Sequence, residues 1–232
     1  MGSGPTLVIM DVDPGVDDGW AMLAMLRAQR QGLVRLLAVV CASGNSTMEN
    51  SIINTCRILQ TANARDIPVY RGKANKEIDA NVASDNFFGL DGFGDIPFSE
   101  QPDLSQVKPD DGLEVIDRLA NQYPGQVTLM CLAPLSNIAE AIQAHPDMTT
   151  RLKEILIMGG NYGAEEAEYN FLKDPLSANT VLEDARCPIT LFPWEPCLNL
   201  GITLVSQCLK YVCLFTETKV SVFKKTSKRT GT

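Results

Sequence analysis

The chain has 232 residues, 45% of them hydrophobic, which is enough for one large α/β domain or two small ones with a sizeable core. Its net charge of −8 argues against a nucleic acid polymer as a partner, because an acidic protein repels a polyanion. The seven cysteines lack C-x-x-C and Cys/His spacings, so neither a disulfide framework nor a zinc site is suggested, and we expect reduced thiols in a cytoplasmic protein. No apolar stretch has the character of a signal peptide or a membrane span, so no membrane partner is expected.

Predicted strands and helices alternate along the chain. Residues 73–110 are rich in Gly, Asp, Asn and Pro with little periodicity, which predicts a long loop. The alternation elsewhere predicts an α/β, Rossmann-like fold with a mostly parallel central sheet flanked by helices. Strands are predicted at residues 7–10, 33–40, 68–70, 127–132, 154–158 and 189–192, and helices at residues 19–26, 46–62, 112–121, 135–144 and 175–184.

Two regions differ in character. We expect residues 1–201 to form the α/β domain and residues 202–232 to form a divergent, poorly ordered tail. Residues 202–215 are apolar with scattered cysteines, and residues 219–232 are polar and basic. Because the acidic, well-punctuated pattern stops near residue 201, the fold is expected to be incomplete at its C-terminus.

Four aspartates lie within eight residues, directly after the apolar run at residues 7–10. Carboxylates packed this closely repel one another, and a hard divalent cation would relieve the repulsion, because carboxylate oxygens are its preferred ligands. The following turn and helix place the group at the carboxyl end of a strand, where open α/β sheets bind ligands. Any one of them alone can instead be an ordinary turn or helix-cap residue. The four are Asp11, Asp13, Asp17 and Asp18.

Residues 11–18, Asp-Val-Asp-Pro-Gly-Val-Asp-Asp, resemble the N-terminal motif of the inosine–uridine-preferring nucleoside hydrolase family. Other stretches match that family in the same order, so the resemblance covers residues 6 to about 198. It implies the nucleoside hydrolase fold, here shortened at the C-terminus. The matching stretches are Ser43-Gly44-Asn45, the flexible-loop sequence at residues 91–95, Leu-Ala-Pro-Leu-Ser-Asn-Ile-Ala at residues 132–139, Ile-Met-Gly-Gly at residues 157–160, and Ala-Glu-Tyr-Asn at residues 167–170 before Asp174-Pro175.

The resemblance implies calcium-dependent hydrolysis of the N-glycosidic bond of ribonucleosides, a reaction of nucleoside metabolism and purine salvage. It also implies a homodimer or homotetramer. By position, Ca²⁺ would be held by Asp13, Asp18 and the backbone carbonyl of Leu132. The ribose hydroxyls would be bound by Asp17, Asn45, Glu168 and Asn170, with Met158 packing near the sugar.

Carboxylate and amide side chains suit the hydrolysis of an N-glycosidic bond, independently of the resemblance. A cation can activate a water and orient a sugar diol, and a neighbouring carboxylate, best assigned to Asp13, can act as the general base that takes the proton of the water. Cleavage also needs charge stabilisation for an oxocarbenium-like transition state. Glu168 and Asn170 are two residues apart, so they are expected to point the same way from an extended segment.

The chain also departs from the family pattern. The family's distal His-Asp pair has no counterpart after residue 201, where Glu217 is the sole acid. The sole histidine, His145, follows a predicted helix and is expected on the surface. Residues 161–167 look shortened relative to the family loop and receive no role. These departures predict reduced activity, and they leave open a catalytically inactive, truncated family member that acts by binding.

Two further alternatives stay open. Asp11-Val12-Asp13 after an apolar strand also fits a haloacid-dehalogenase-like phosphatase, but that family wants Thr or Val where this chain has Gly15, so it ranks well below. The second is that secondary site residues have ordinary roles: Asn45 in a turn, Met158 in the core, and Glu168 on a solvated acidic face.

Overall fold

The computed structural model describes residues 4–85, 87–163 and 166–199, with the backbone alone at residues 81–85 and 198–199. Seven strands alternate with helices along this part of the chain. The strands are β1 Thr6–Val12, β2 Val34–Cys41, β3 Val69–Arg71, β4 Val107–Asp111, β5 Val127–Cys131, β6 Glu154–Met158 and β7 Ile189–Phe192. The helices are α1 Val16–Arg30, α2 Met48–Thr61, α3 Lys76–Asp85, α4 Gly112–Gln122, α5 Ser136–Ala144, α6 Tyr169–Lys173, α7 Pro175–Asp184 and α8 Glu195–Asn199, with a 3₁₀ turn at Met148–Arg151.

The strands form one sheet in the order β4-β3-β2-β1-β5-β6-β7. Every neighbouring pair is parallel. Helices cover both faces, so the predicted Rossmann-like α/β fold is confirmed. The central strands are apolar runs because both of their faces are buried. In β1, for example, Val8, Ile9 and Met10 are at most 2% exposed.

Two hydrophobic clusters hold the helices to the sheet. On one face, Met22 of α1 and Leu59 of α2 pack against β1 and β2. On the other face, Ile116 of α4, Ile138 of α5 and Val181 of α7 pack against β1, β5 and β6. Each fully buried aliphatic side chain contributes about 1.5–3 kcal/mol relative to an exposed one. The position of β1 is therefore determined from both faces.

The chain order creates a switch point next to β1. From β1 the chain builds outward through β2, β3 and β4, and then returns to place β5, β6 and β7 on the other side. The crevice outside the carboxyl ends of the strands at such a point is where open α/β sheets bind ligands. The aspartates that follow β1 lie at this crevice.

The prediction of a continuous loop at residues 73–110 is wrong, because α3 and all but the last residue of β4 lie within it. β4 is an edge strand in which four of five residues are exposed and one is Pro109, so it lacks the apolar pattern that reveals a strand. α3 begins where the Asn75 side chain accepts hydrogen bonds from the backbone N–H groups of Glu77 and Ile78, each at 3.1 Å.

The predicted tail, residues 202–232, lies outside the described residues. Among the helices that are described, none has the length and apolar character needed to cross a membrane.

Candidate functional site

Asp13 and Asp18 are brought together by Asn45, which lies in the loop after β2. The backbone N–H of Asn45 donates to Asp13 Oδ2 at 2.6 Å, and its side-chain amide donates to Asp18 Oδ2 at 3.4 Å. Asp13 is fully buried and Asp18 is 4% exposed. These three residues, predicted to hold the metal and the sugar on this side, therefore form one cluster. Asp13 and Asp18 are below called the carboxylate pair, and the two hydrogen bonds from Asn45 are called the Asn45 bridge.

A glycine allows this close approach. A Cβ on Gly44 would overlap Asp13 Oδ2 and stand 2.6 Å from Asp13 Cγ and 2.9 Å from Pro134 Cδ. Such distances are shorter than van der Waals contact, so any larger residue at position 44 would displace the Asp13 carboxylate. The Gly-Asn pair after β2 thus has a physical role: the glycine provides space and the asparagine provides donors.

Asp11 faces a separate partner. Its Oδ1 accepts a 2.7 Å hydrogen bond from the Asn137 amide, which also donates to the Cys41 carbonyl at 3.1 Å. Asn137 Oδ1 accepts in turn from the backbone N–H of Lys73 at 2.9 Å. This network joins the ends of β1 and β2 to the first turn of α5 and to the segment after β3, and it positions the strand ends that carry the site.

One oxygen of each of the three buried carboxylates has no hydrogen-bond partner: Asp11 Oδ2, Asp13 Oδ1 and Asp18 Oδ1. Burial raises the pKa of Asp11 to about 7 and the pKa values of Asp13 and Asp18 well above their ordinary range. Repulsion adds to burial, because nearby carboxylates raise the pKa of Asp13 and of Asp18 further. A cation among these oxygens would reverse that penalty.

The unpartnered oxygens of Asp13 and Asp18 fit a hard divalent cation, whose preferred ligands are carboxylate oxygens. No group of three or more His, Cys, Asp or Glu side chains in the described residues is arranged to hold a metal ion. The pair can therefore supply only part of a shell of six to eight oxygens, and backbone carbonyls, water or a bound diol would supply the rest.

Leu132, Met158 and Asn170 meet on the other side of the crevice. The Asn170 amide donates to the Leu132 carbonyl at 2.8 Å and to the Met158 carbonyl at 3.1 Å, and it lies 3.5 Å from the Met158 sulfur. The Leu132 carbonyl oxygen has a second lone pair, so its hydrogen bond to Asn170 does not prevent it from binding a cation.

Glu168 and Asn170 do not lie on an extended segment, and that prediction is wrong. Glu168 is the N-cap of α6: its Oε1 accepts from the Asn170 N–H at 3.0 Å, and its Oε2 accepts from the Phe171 N–H at 3.2 Å and the Gly160 N–H at 2.9 Å. The cap satisfies donors at the helix start, which explains why a carboxylate is buried there.

Asp17 lies in the first turn of α1 at the mouth of the crevice and is exposed. Although Asp17 is exposed, the protein around its carboxyl removes part of its hydration and thereby raises its pKa, and its charge raises the pKa values of Asp13 and Asp18. His145 caps the far end of α5, where its Nε2 lies 3.0 Å from Glu114 Oε1. The sole histidine, which was expected on the surface, is half-buried, and its ring faces the carboxylates of Glu114 and Asp117.

A loop at residues 87–95 lies against the turn between Asp13 and Asp17. The Asn54 amide donates to the Pro14 carbonyl at 3.2 Å and to the Asp91 carbonyl at 2.7 Å. The Phe88 ring occupies the space where a Cβ on Gly15 would stand. Asn54 thus links this loop to the aspartate turn.

Sequence reasoning missed the roles of Gly44 and Asn137, although both lie in motifs that follow strand ends. Gly44 packs against Asp13 and Pro134, and Asn137 bonds to Asp11 across 126 positions of sequence, which no local pattern reveals. Two cavities elsewhere, about 200 and 300 Å³, include none of the predicted site residues in their lining. The candidate site is therefore identified by the chemistry of its carboxylates.

Fold and site together define an α/β protein with a carboxylate-rich crevice at its switch point. The family model of the inosine-uridine preferring nucleoside hydrolases matches residues 8–230, and the chain belongs to that family. The pyrimidine-specific ribonucleoside hydrolase RihB of Escherichia coli O9:H4 (strain HS) is 29% identical over 204 residues, which is 86% of this chain and 60% of RihB. The chain thus spans about 60% of the length of the curated relatives it matches.

Solved structures show the same fold. The plant nucleoside hydrolase PpNRh1 superposes with a TM-score of 0.69 at 24% identity, covering 82% of this chain and 60% of that one. A purine-preferring ribonucleoside hydrolase from Gardnerella vaginalis gives a TM-score of 0.73 at 22% identity, covering 90% and 71%. An inosine-guanosine nucleoside hydrolase gives 0.71 at 24% identity, covering 90% and 72%.

Proposed function

We propose that the protein hydrolyses the N-glycosidic bond of ribonucleosides, releasing the free base and ribose. The observation that carries the proposal is the set of buried, unpartnered carboxylate oxygens at the switch point of a family member. Burying such groups is costly unless the site binds something positive. The printed names of the relatives include pyrimidine-specific and purine-preferring enzymes, and we propose no base preference.

We propose Ca²⁺ as the cation, held by Asp13, Asp18 and the Leu132 carbonyl. When bound, it would supply a water of lowered pKa and a point of attachment for a sugar diol. Asp13 would take the proton of that water as general base, because it is the fully buried member of the pair and has an oxygen without a partner.

The ribose would be held from both sides of the crevice. Asp17 and Asn45 would contact it on one side, and Glu168 and Asn170 on the other. The Asn170 amide hydrogens are donated to the Leu132 and Met158 carbonyls, so its oxygen remains as the acceptor. Glu168 Oε1 accepts one hydrogen bond from Asn170 in the described contacts and can accept another from a hydroxyl. Met158 lies at the end of β6 beside Asn170, where its side chain can pack against the sugar.

A second candidate is a family member that binds ribonucleosides without turnover. The position of His145, paired with Glu114 at the far end of α5, favours it, because no imidazole of this chain then protonates the departing base. Loss of a leaving-group acid typically lowers the rate by about 10²–10⁴-fold. We further propose that the protein works in the cytoplasm as a homodimer or homotetramer.

Release of base from inosine and uridine by the 232-residue chain tests the proposal. We expect slow turnover that Asp13→Asn abolishes and Asp184→Asn, at an exposed position at the end of α7, leaves unchanged. Turnover that survives Asp13→Asn would contradict the assigned general base. Saturable nucleoside binding without any base release would support the second candidate.

A further inference from the structure

Tyr169 connects the two sides of the crevice. Its hydroxyl donates to the backbone carbonyl of Gly44 at 3.1 Å, across 125 positions of sequence. Tyr169 is the first residue of α6, whose second residue, Asn170, is anchored at the ends of β5 and β6 through Leu132 and Met158. Gly44 lies in the loop after β2. The Tyr169–Gly44 contact, below called the cross-site hydrogen bond, therefore spans from one half of the sheet to the other.

A displacement of the loop after β2 would reach the carboxylate pair through Gly44. Its own N–H donates to the Ser46 carbonyl at 3.1 Å, which makes the loop a tight turn. The next residue, Asn45, donates its backbone N–H to Asp13 and its side-chain amide to Asp18. Because Gly44 has no space for a Cβ beside Asp13, a shift of the loop would change the position of that carboxylate.

The other end of the cross-site hydrogen bond is equally constrained. Tyr169 stands between Glu168 and Asn170, the two residues proposed to bind ribose on that side. Glu168 caps the same helix through two backbone donors and also accepts from the Gly160 N–H. The Lys173 ammonium lies 5.2 Å from the centre of the Tyr169 ring, within the range of a cation–π contact. The ring is therefore held while its hydroxyl reaches the opposite loop.

We propose that Tyr169 is a positioning residue: its hydroxyl sets the separation between the carboxylate pair and the Glu168–Asn170 segment. It thereby keeps the Asn45 bridge in place and sets the affinity of the site for a cation. The role in cation affinity rests on the proposed function, whereas the restraint on the Gly44–Asn45 loop does not. Tyr169 need not touch the reacting atoms for either effect.

Tyr169→Phe removes the hydroxyl and keeps the ring. A neutral hydrogen bond contributes about 0.5–1.5 kcal/mol, which corresponds to about two- to twelvefold in an equilibrium constant. In the metal-free variant we expect the backbone N–H of Asn45 to exchange with solvent about two- to twelvefold faster than in metal-free wild type. Calorimetry should show a similar loss of Ca²⁺ affinity.

Tyr123→Phe is the matched control, because the Tyr123 hydroxyl accepts from the neighbouring Gln122 side chain at 3.2 Å, at the end of α4. Tyr123→Phe should leave Asn45 exchange and Ca²⁺ affinity unchanged. This should hold even if it lowers the free energy of unfolding by as much as Tyr169→Phe does. Unchanged Asn45 exchange in Tyr169→Phe would overturn the proposal, and so would faster exchange with unaltered Ca²⁺ affinity. Absence of Ca²⁺ binding by wild type would refute the proposed function instead and, with it, the cation part of this inference.

Discussion

The substitution Gly44→Ala tests the packing at the carboxylate pair most severely. The added methyl would overlap Asp13 Oδ2 and stand 2.6 Å from Asp13 Cγ and 2.9 Å from Pro134 Cδ. Neither neighbour is the free end of a flexible side chain, since Asp13 is buried and Pro134 is a ring. The Asp13 carboxylate must therefore rotate, and its 2.6 Å bond to the Asn45 N–H is lost.

The magnitude follows from two contributions. Overpacking of a well-filled site costs about 1–3 kcal/mol, and a hydrogen bond to a charged group contributes about 1.5–3 kcal/mol, of which relaxation recovers part. We expect the free energy of unfolding of the metal-free protein, measured by urea denaturation, to fall by about 2–4 kcal/mol. Affinity for Ca²⁺ should fall at least tenfold, because the pair no longer presents both carboxylates to one point.

Two alanine variants serve as controls for the glycine change itself. Gly4 has no heavy atom within 4 Å of an added Cβ, so Gly4→Ala should change stability by less than about 0.5 kcal/mol. Gly19 lies inside α1 with its nearest neighbours at 3.7 Å, so Gly19→Ala should stabilise by roughly 0.5–1 kcal/mol. Wild-type stability and Ca²⁺ affinity in Gly44→Ala would refute the reasoning about this site.

Three further predictions concern charge and the neighbouring loop. Burial raises the pKa of Asp11 from 3.8 to about 7 in the folded protein. The protonated form of Asp11 therefore contributes to the free energy of unfolding below about pH 4. This contribution, up to about 4 kcal/mol, is lost as the pH rises through about 7. Asp11→Asn should therefore flatten the urea-measured stability of the metal-free protein between pH 4 and 8, and a profile superimposable on wild type would contradict this. Because the pKa values of Asp13 and Asp18 are raised by burial, Ca²⁺ binding should release more protons as the pH is lowered, seen as a growing dependence of the calorimetric enthalpy on buffer ionisation enthalpy. No such dependence at any pH would contradict the raised pKa values. Asn54→Ala leaves the Pro14 and Asp91 carbonyls without their donor, so we expect a loss of about 1–3 kcal/mol and faster proteolysis within residues 87–95, whereas Asn121→Ala, which removes an exposed contact to Asp117, should do neither.

The sequence predicted the sheet well because its central strands are buried on both faces. Apolar runs at β1, β2, β5 and β6 are visible without any tertiary information. Residues that directly follow or end these strands, such as Asp13, Leu132 and Met158, share one edge because parallel strands end together. Placing them at one crevice therefore needed only the order of the strands.

What the sequence did not reveal depends on contacts between distant segments. β4 lies at an exposed edge and has no apolar pattern, so nothing local distinguishes it from a loop. The short α6 is held by its cap at Glu168. A spacing of two residues, as between Glu168 and Asn170, does not distinguish the start of such a helix from a strand. Asn137 pairs with Asp11 across 126 positions of sequence, a distance at which single-sequence patterns carry no information.

Calorimetric titration of the metal-free chain with Ca²⁺ tests the central claim most directly. The carboxylate pair predicts saturable binding that weakens at least tenfold in Asp13→Asn and in Asp18→Asn, since affinity follows the number of charged ligands. Asp184→Asn should bind as wild type does, because its carboxylate is exposed at the end of α7. Wild-type protein that takes up no Ca²⁺, or equal affinity in all four proteins, would contradict the claim that these buried aspartates form a cation site.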